Sequence, residues 1–134
     1  MEKRLSFVAV DFETLQAITL KGIECLRMPI QIGMVKYIDG EQQDDVFSCY
    51  IDPPVGKPWA SYFKIAITSE NCDGAPTFEE LYPKILDFIG DLPLVSFSRS
   101  TEVDSFKEAC SYYELENVFP KDRFIDPYTQ CLAK

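Results

Sequence analysis

Asp11, Phe12, Glu13 and Thr14 close a short apolar run, Phe7-Val-Ala-Val10, whose composition suits a buried strand. On an extended strand, side chains two apart share a face. Asp11 and Glu13 therefore project together, and Phe12 turns to the other side. Two carboxylates held side by side repel unless a cation lies between them. Hard oxygen donors of this kind suit Mg²⁺ or Mn²⁺. An Asp-x-Glu at a strand end is also ordinary solvated polarity, so the pair takes its meaning from its surroundings.

Divalent ions held by carboxylates suit one reaction class well, the hydrolysis of phosphodiesters. In-line attack by water needs a nucleophile at neutral pH and cover for the leaving oxygen, and two ions about 3.5–4 Å apart supply both. A further carboxylate would complete such a site. The segment Leu94-Val-Ser-Phe-Ser-Arg-Ser-Thr-Glu-Val-Asp104 offers Glu102 and Asp104. Glu102, Phe106, Ala109 and Tyr113 are spaced by four, three and four, which leans Glu102 toward the buried side of a helix. Asp104 falls with Glu108 and Ser111 on the polar side, and it also fits a Thr101-x-x-Asp capping pair. Glu102 is favoured, Asp104 stays a candidate, and both also read as plain helix-start acids. The chain has no histidine, hence no side chain whose ordinary pKa suits base duty near pH 7. P-loop, Rossmann and Ser-His-Asp patterns are absent.

The elements that must position these residues are legible in outline. Leu5 to Val10 predicts a first strand, Ile30 to Ile38 a second, and Val46 to Ile51 a third. Asp39-Gly40 is a pair favoured in two-residue hairpins, so the second and third strands should run antiparallel. Thr14 to Pro29 reads as a loop or short helix. Pro53 to Asn71 is a long connection whose Trp59, Tyr62 and Phe63 anchor a loop or stack on bases. Thr77-x-x-Glu80 is a capping box before an apolar stripe, with Pro83 expected to kink the helix and Gly90 to end it. Leu92 to Phe97 predicts a strand parallel to its neighbour, and about Thr101 to Tyr113 a second helix. A short strand near Phe124-Ile125 and a third helix opening at Asp126-Pro127 complete the series. The expected class is α/β with a mixed sheet, in one domain spanning 1–134.

Composition narrows the partners. At 46% apolar residues, the chain can fill a core. No apolar run approaches the roughly 18–20 residues that span a bilayer, and no signal-peptide pattern opens the chain, so no membrane partner is expected. Net charge is −9, from 13 basic and 22 acidic residues, which argues against a basic face that coats nucleic acid. Metal ions would invert the local charge, so a nuclease stays compatible. Five cysteines, an odd number with no C-x-x-C pair, fit buried thiols in a reducing cytoplasm.

Phe7-Val-Ala-Val-Asp-Phe-Glu-Thr14, followed by Pro29-Ile-Gln-Ile-Gly33, resembles the first motif and second strand of DnaQ-like 3′–5′ exonucleases. These form the DEDD superfamily, which includes the exonuclease domain of the DNA polymerase III epsilon subunit. Ile67-Thr68, Ala75-Pro76-Thr77-Phe78 and Phe88-Ile89-Gly90 resemble that family's connection and first crossover helix, so the likeness covers almost the whole chain. It implies a ribonuclease-H-like sheet, a three-strand antiparallel meander plus parallel strands with flanking helices. It also implies removal of nucleotides from 3′ ends of single-stranded DNA or short RNA with two Mg²⁺ or Mn²⁺ ions, in proofreading or repair, beside a polymerase or another replication or repair protein. By carry-over Asp11 and Glu13 are catalytic metal ligands, Glu102 (or Asp104) the third acid, and Thr14 lies near the terminal nucleotide.

The sequence departs from the pattern twice. Phe97-Ser98 stands at the family's His-Asn place, with Glu102 at the acidic place after it. The third motif, His-x-x-x-x-Asp, is missing, and Pro127 to Lys134 resembles the helix that precedes it. A C-terminally incomplete domain and a member that has lost catalysis both account for this. The rival function is a catalytically inactive module of the same fold that binds nucleic acid or protein.

Overall fold

The computed structural model describes residues 5–60, 66–96 and 99–125, without the side chains at 17, 26, 99 and 100. Within them run β1 (Phe7–Leu20), β2 (Ile23–Ile38), β3 (Glu41–Tyr50), α1 (Phe78–Ile89), β4 (Leu94–Val95) and α2 (Arg99–Tyr112). The sheet order is β3-β2-β1-β4, with β1–β2 and β2–β3 antiparallel and β4 parallel to β1. Phe124 makes an isolated parallel bridge to Leu94, where the sequence predicts a last short strand. The mixed sheet with a three-strand meander is therefore as expected.

The first two strands are far longer than the apolar pattern predicts. Residues 14–29 form neither a loop nor a short helix. They extend β1 and β2 into a two-stranded ribbon, pairing Gln16 with Arg27 and Leu20 with Ile23. Lys21 at φ +51° and Gly22 at φ +76° turn it, two left-handed residues in succession as a two-residue hairpin requires. Asp39 at +52° and Gly40 at +81° repeat this device between β2 and β3, as the sequence predicts. The β1–β2 register shifts between Glu13 and Thr14, at the base of the ribbon. Such a bulge re-aims the residues that follow it.

One face of the sheet buries Val8, Val10 and Phe12 of β1 and Ile32 and Met34 of β2 beneath the helices. From α1, Phe78, Leu81, Tyr82, Ile85 and Ile89 are buried, each worth about 1.5–3 kcal/mol relative to exposure. Thr77 and Glu80 form the reciprocal capping box, and the Gly90 N–H donates to Leu86 O at 2.9 Å. The helix continues through Pro83. The Tyr82 hydroxyl donates to Glu116 O at 2.7 Å and accepts from Val118 N at 3.1 Å, while burial pushes its pKa up to about 12. Arg123, too isolated for a basic patch, donates instead to the carbonyls of Val118, Gly90 and Leu92.

A smaller cluster of Leu15, Ile30, Ile67 and Cys72, with Val55 and Trp59 packed on it, fastens the long connection after β3. Trp59 is thus a loop anchor; Tyr62, Phe63 and the helix expected from Asp126 lie outside the described residues. Cys25, Cys72 and Cys110 are buried free thiols and Cys49 is half-buried, each with its pKa raised by burial. Among the described residues β3 is a free edge, with Glu41, Asp44 and Asp45 exposed and Val46 54% exposed.

Candidate active site midway along the first strand

The sheet register fixes where the two strand acids point. Asp11 lies opposite Gly33 and Glu13 opposite Gln31, with no register shift between them. They share the face opposite the core. Phe12 between them is buried against Phe106, ring centroids 5.0 Å apart and nearly perpendicular. Asp11 is exposed and Glu13 half-buried. Gly33 leaves open space there, since a Cβ built on it would meet nothing within 4 Å. Partial burial, and then the Asp11 charge beside it, push the Glu13 carboxyl above its ordinary range.

Glu102 reaches the same place from the first turn of α2, and it is 2% exposed. The backbone explains why a carboxylate is buried there. Val8 N donates to Pro93 O across the β1–β4 edge, and amides two apart on a strand point the same way. The Phe12 N–H therefore points toward β4, but among the described residues the last β4 pair is Ala9–Val95. An unpaired buried N–H costs about as much as a lost hydrogen bond. Glu102 Oε1 accepts it at 3.2 Å, and Oε2 accepts the buried Ser96 hydroxyl at 2.7 Å. Burial raises the Glu102 pKa; the two hydrogen bonds lower it, and the Asp11 charge adds to the rise.

The structure ties Glu102 to the Phe12 backbone, between the two strand acids, whereas Asp104 sits half-buried within α2. α2 starts at Arg99, so Thr101 is inside the helix, and its carbonyl accepts the Ser105 hydroxyl at 2.6 Å. Thr14 is 3% exposed, so its side chain offers no open surface to a nucleotide. Sequence reading missed Ser96. Its only signal is a hydroxyl at the end of an apolar strand, which by itself marks nothing.

Asp11 and Glu13 fit a divalent ion chemically, since their repulsion is the charge a cation relieves. Among the described residues, however, no group of three acidic, histidine or cysteine side chains is placed to hold one ion. Asp11 and Glu13 stand side by side on the strand, and Glu102 is tied inward.

No family model matches the sequence. Among curated proteins, the DNA polymerase III PolC-type of Clostridium perfringens (strain 13 / Type A) is 37% identical over 79 residues, covering 59% of this chain and 5% of that polymerase. Among solved structures, the nuclease domain of 3'hExo, a DEDDh family member bound to rAMP, superposes with a TM-score of 0.68 at 19% identity over 85% of this chain. The chain shares the mixed-sheet fold of this DEDDh nuclease domain. Cell-death related nuclease 4 (CRN-4) shares the architecture at a TM-score of 0.57 and 18% identity over 78% of the chain. The chain spans 62% and 40% of those two nucleases and a small fraction of the polymerase.

Proposed function

We propose that this DnaQ-like chain belongs to a metal-dependent 3′–5′ exonuclease that removes nucleotides from the 3′ end of DNA or short RNA, in proofreading or repair. The observation that carries this reading is the placing of Asp11 and Glu13 side by side on one face of β1, midway along the strand, in a fold shared with a nuclease bound to rAMP. Asp11 and Glu13 are the donors for Mg²⁺ or Mn²⁺. A bound divalent ion supplies positive charge that stabilises the pentavalent phosphate and the leaving oxygen. The strand holds the two oxygens on one face, and the space over Gly33 leaves room for a phosphate beside Asp11. Two ions would need a further acid and a base besides these two donors. The similarity to a DNA polymerase favours a polymerase partner, and the buried free thiols fit a reducing cytoplasm.

Manganese tests the reading directly. Mn²⁺ is expected to raise the melting temperature of the chain, and Asp11→Ala is expected to remove that rise while leaving the metal-free melting temperature close to the parent's. In a longer protein carrying this chain, Asp11→Ala should abolish trimming of a 3′-labelled single strand. An Asp11→Ala protein that trims at the parent rate would refute the assignment. A binding module of the same fold would show neither the manganese shift nor the trimming.

A further inference from the structure

Glu102 is joined to the two strand acids through the backbone, and this suggests a task other than ligation. We infer that Glu102 and Ser96 are positioning residues, a buried latch that fixes the Phe12 peptide and so sets the spacing of Asp11 and Glu13. The inference rests on the metal-binding reading of those two acids. Three observations carry it. Phe12 is the residue between the acids, and its amide lies past the last described pair of the β4 ladder. Both carboxylate oxygens of Glu102 face inward donors, the Phe12 amide and the Ser96 hydroxyl. The side chain is 2% exposed, and no three-ligand group forms with Asp11 and Glu13 among the described residues. The Phe12 ring, packed on Phe106 of the same helix, holds the other side of that residue. α2 therefore grips Phe12 through its ring and its amide.

Glu102→Gln separates a latch from a ligand. A glutamine keeps both bonds, with its oxygen accepting the Phe12 amide and its nitrogen donating to the Ser96 hydroxyl, but it has no charge for a metal. In the latch, Glu102→Gln holds Mn²⁺ within about threefold of the parent affinity, whereas Glu102→Ala loses about tenfold or more, the scale of a lost outer-shell partner. Ser96→Ala, the milder change, falls between them and covers the case in which Glu102→Ala does not fold. Hydrogen exchange at the Phe12 amide reads the latch without metal. It should stay slow in the parent and in Glu102→Gln, and quicken in Glu102→Ala or Ser96→Ala. A Glu102→Gln affinity as low as that of Glu102→Ala would overturn the proposal in favour of direct ligation. Unchanged Phe12 exchange in both alanine variants would overturn the latch itself. A parent chain that binds no Mn²⁺ would remove the metal role of Asp11 and Glu13, and with it the positioning role.

Discussion

Glu13 titrates under two pressures of the same sign, partial burial and the neighbouring charge of Asp11. A carboxyl whose folded pKa lies above its unfolded value, 4.5, binds its proton more tightly in the folded chain. Its contribution to stability is then present below that value and is lost as pH rises through the raised one. Glu102 has the same sign. Asp73 has the opposite one: a hydrogen bond from Lys57 lowers its pKa from 3.8, so its contribution is lost only at lower pH. Without metal, Glu13→Gln should therefore shrink the difference in melting temperature between pH 5 and pH 7, and should cancel the manganese shift at pH 7. A pH profile unchanged by the substitution would contradict this account of Glu13. The two strand acids were legible because a period of two survives in any extended segment. The wheel also pointed to Glu102 over Asp104, because Phe106 and Ala109 mark the buried side. The bond to Phe12 was not legible, since it depends on how the neighbouring strand pairs.

The β1–β2 ribbon is the element that sequence pattern hid. Its apolar residues, Leu15, Ile18, Leu20, Ile23 and Cys25, keep no steady alternation, and Lys21-Gly22 lacks the Asn or Asp that signals a tight hairpin. Asp39-Gly40 carries that signal and was read correctly. The ribbon lies on α2, where Glu108 accepts the Arg27 amide and Lys21 sits 4.3 Å from the centre of the Tyr112 ring. Glu108→Ala should destabilise the ribbon by about 1.5–3 kcal/mol, the range for a hydrogen bond to a charged group. Amide exchange should then quicken over residues 16–27 and stay slow over 7–13. Gly22→Ala, which forces a Cβ into the left-handed region, should cost about 1–2 kcal/mol and act on the same segment.

At the scale of the molecule, the helices and sheet are pinned by an aromatic hub. Phe106 meets Phe12, Phe78, Phe119 and Phe124 at ring-centroid distances of 5.0, 6.4, 4.7 and 6.4 Å. Phe106→Ala should cost about 3–5 kcal/mol in urea unfolding, a large share of the 5–15 kcal/mol typical of a domain. It should also weaken Mn²⁺ binding, because it withdraws the surface against which Phe12 rests. The order of strands and helices was legible at this scale because each long apolar stripe demands a partner layer. The Arg123 clamp and the Tyr82 hydrogen bonds were not, since they join carbonyls and amides that no side-chain pattern reveals. No helix among the described residues is long and apolar enough to cross a membrane.

The exposed margin of β3 has a consequence for handling the protein. Unpaired strand margins invite copies of a chain to zip together, and acidic side chains at Glu41, Asp44 and Asp45 oppose this by repulsion. Replacing Asp44 and Asp45 by asparagine withdraws the repulsion while leaving Val46 bare. Turbidity should therefore appear sooner in the Asp44→Asn, Asp45→Asn double variant than in the parent, and Val46→Lys should delay it.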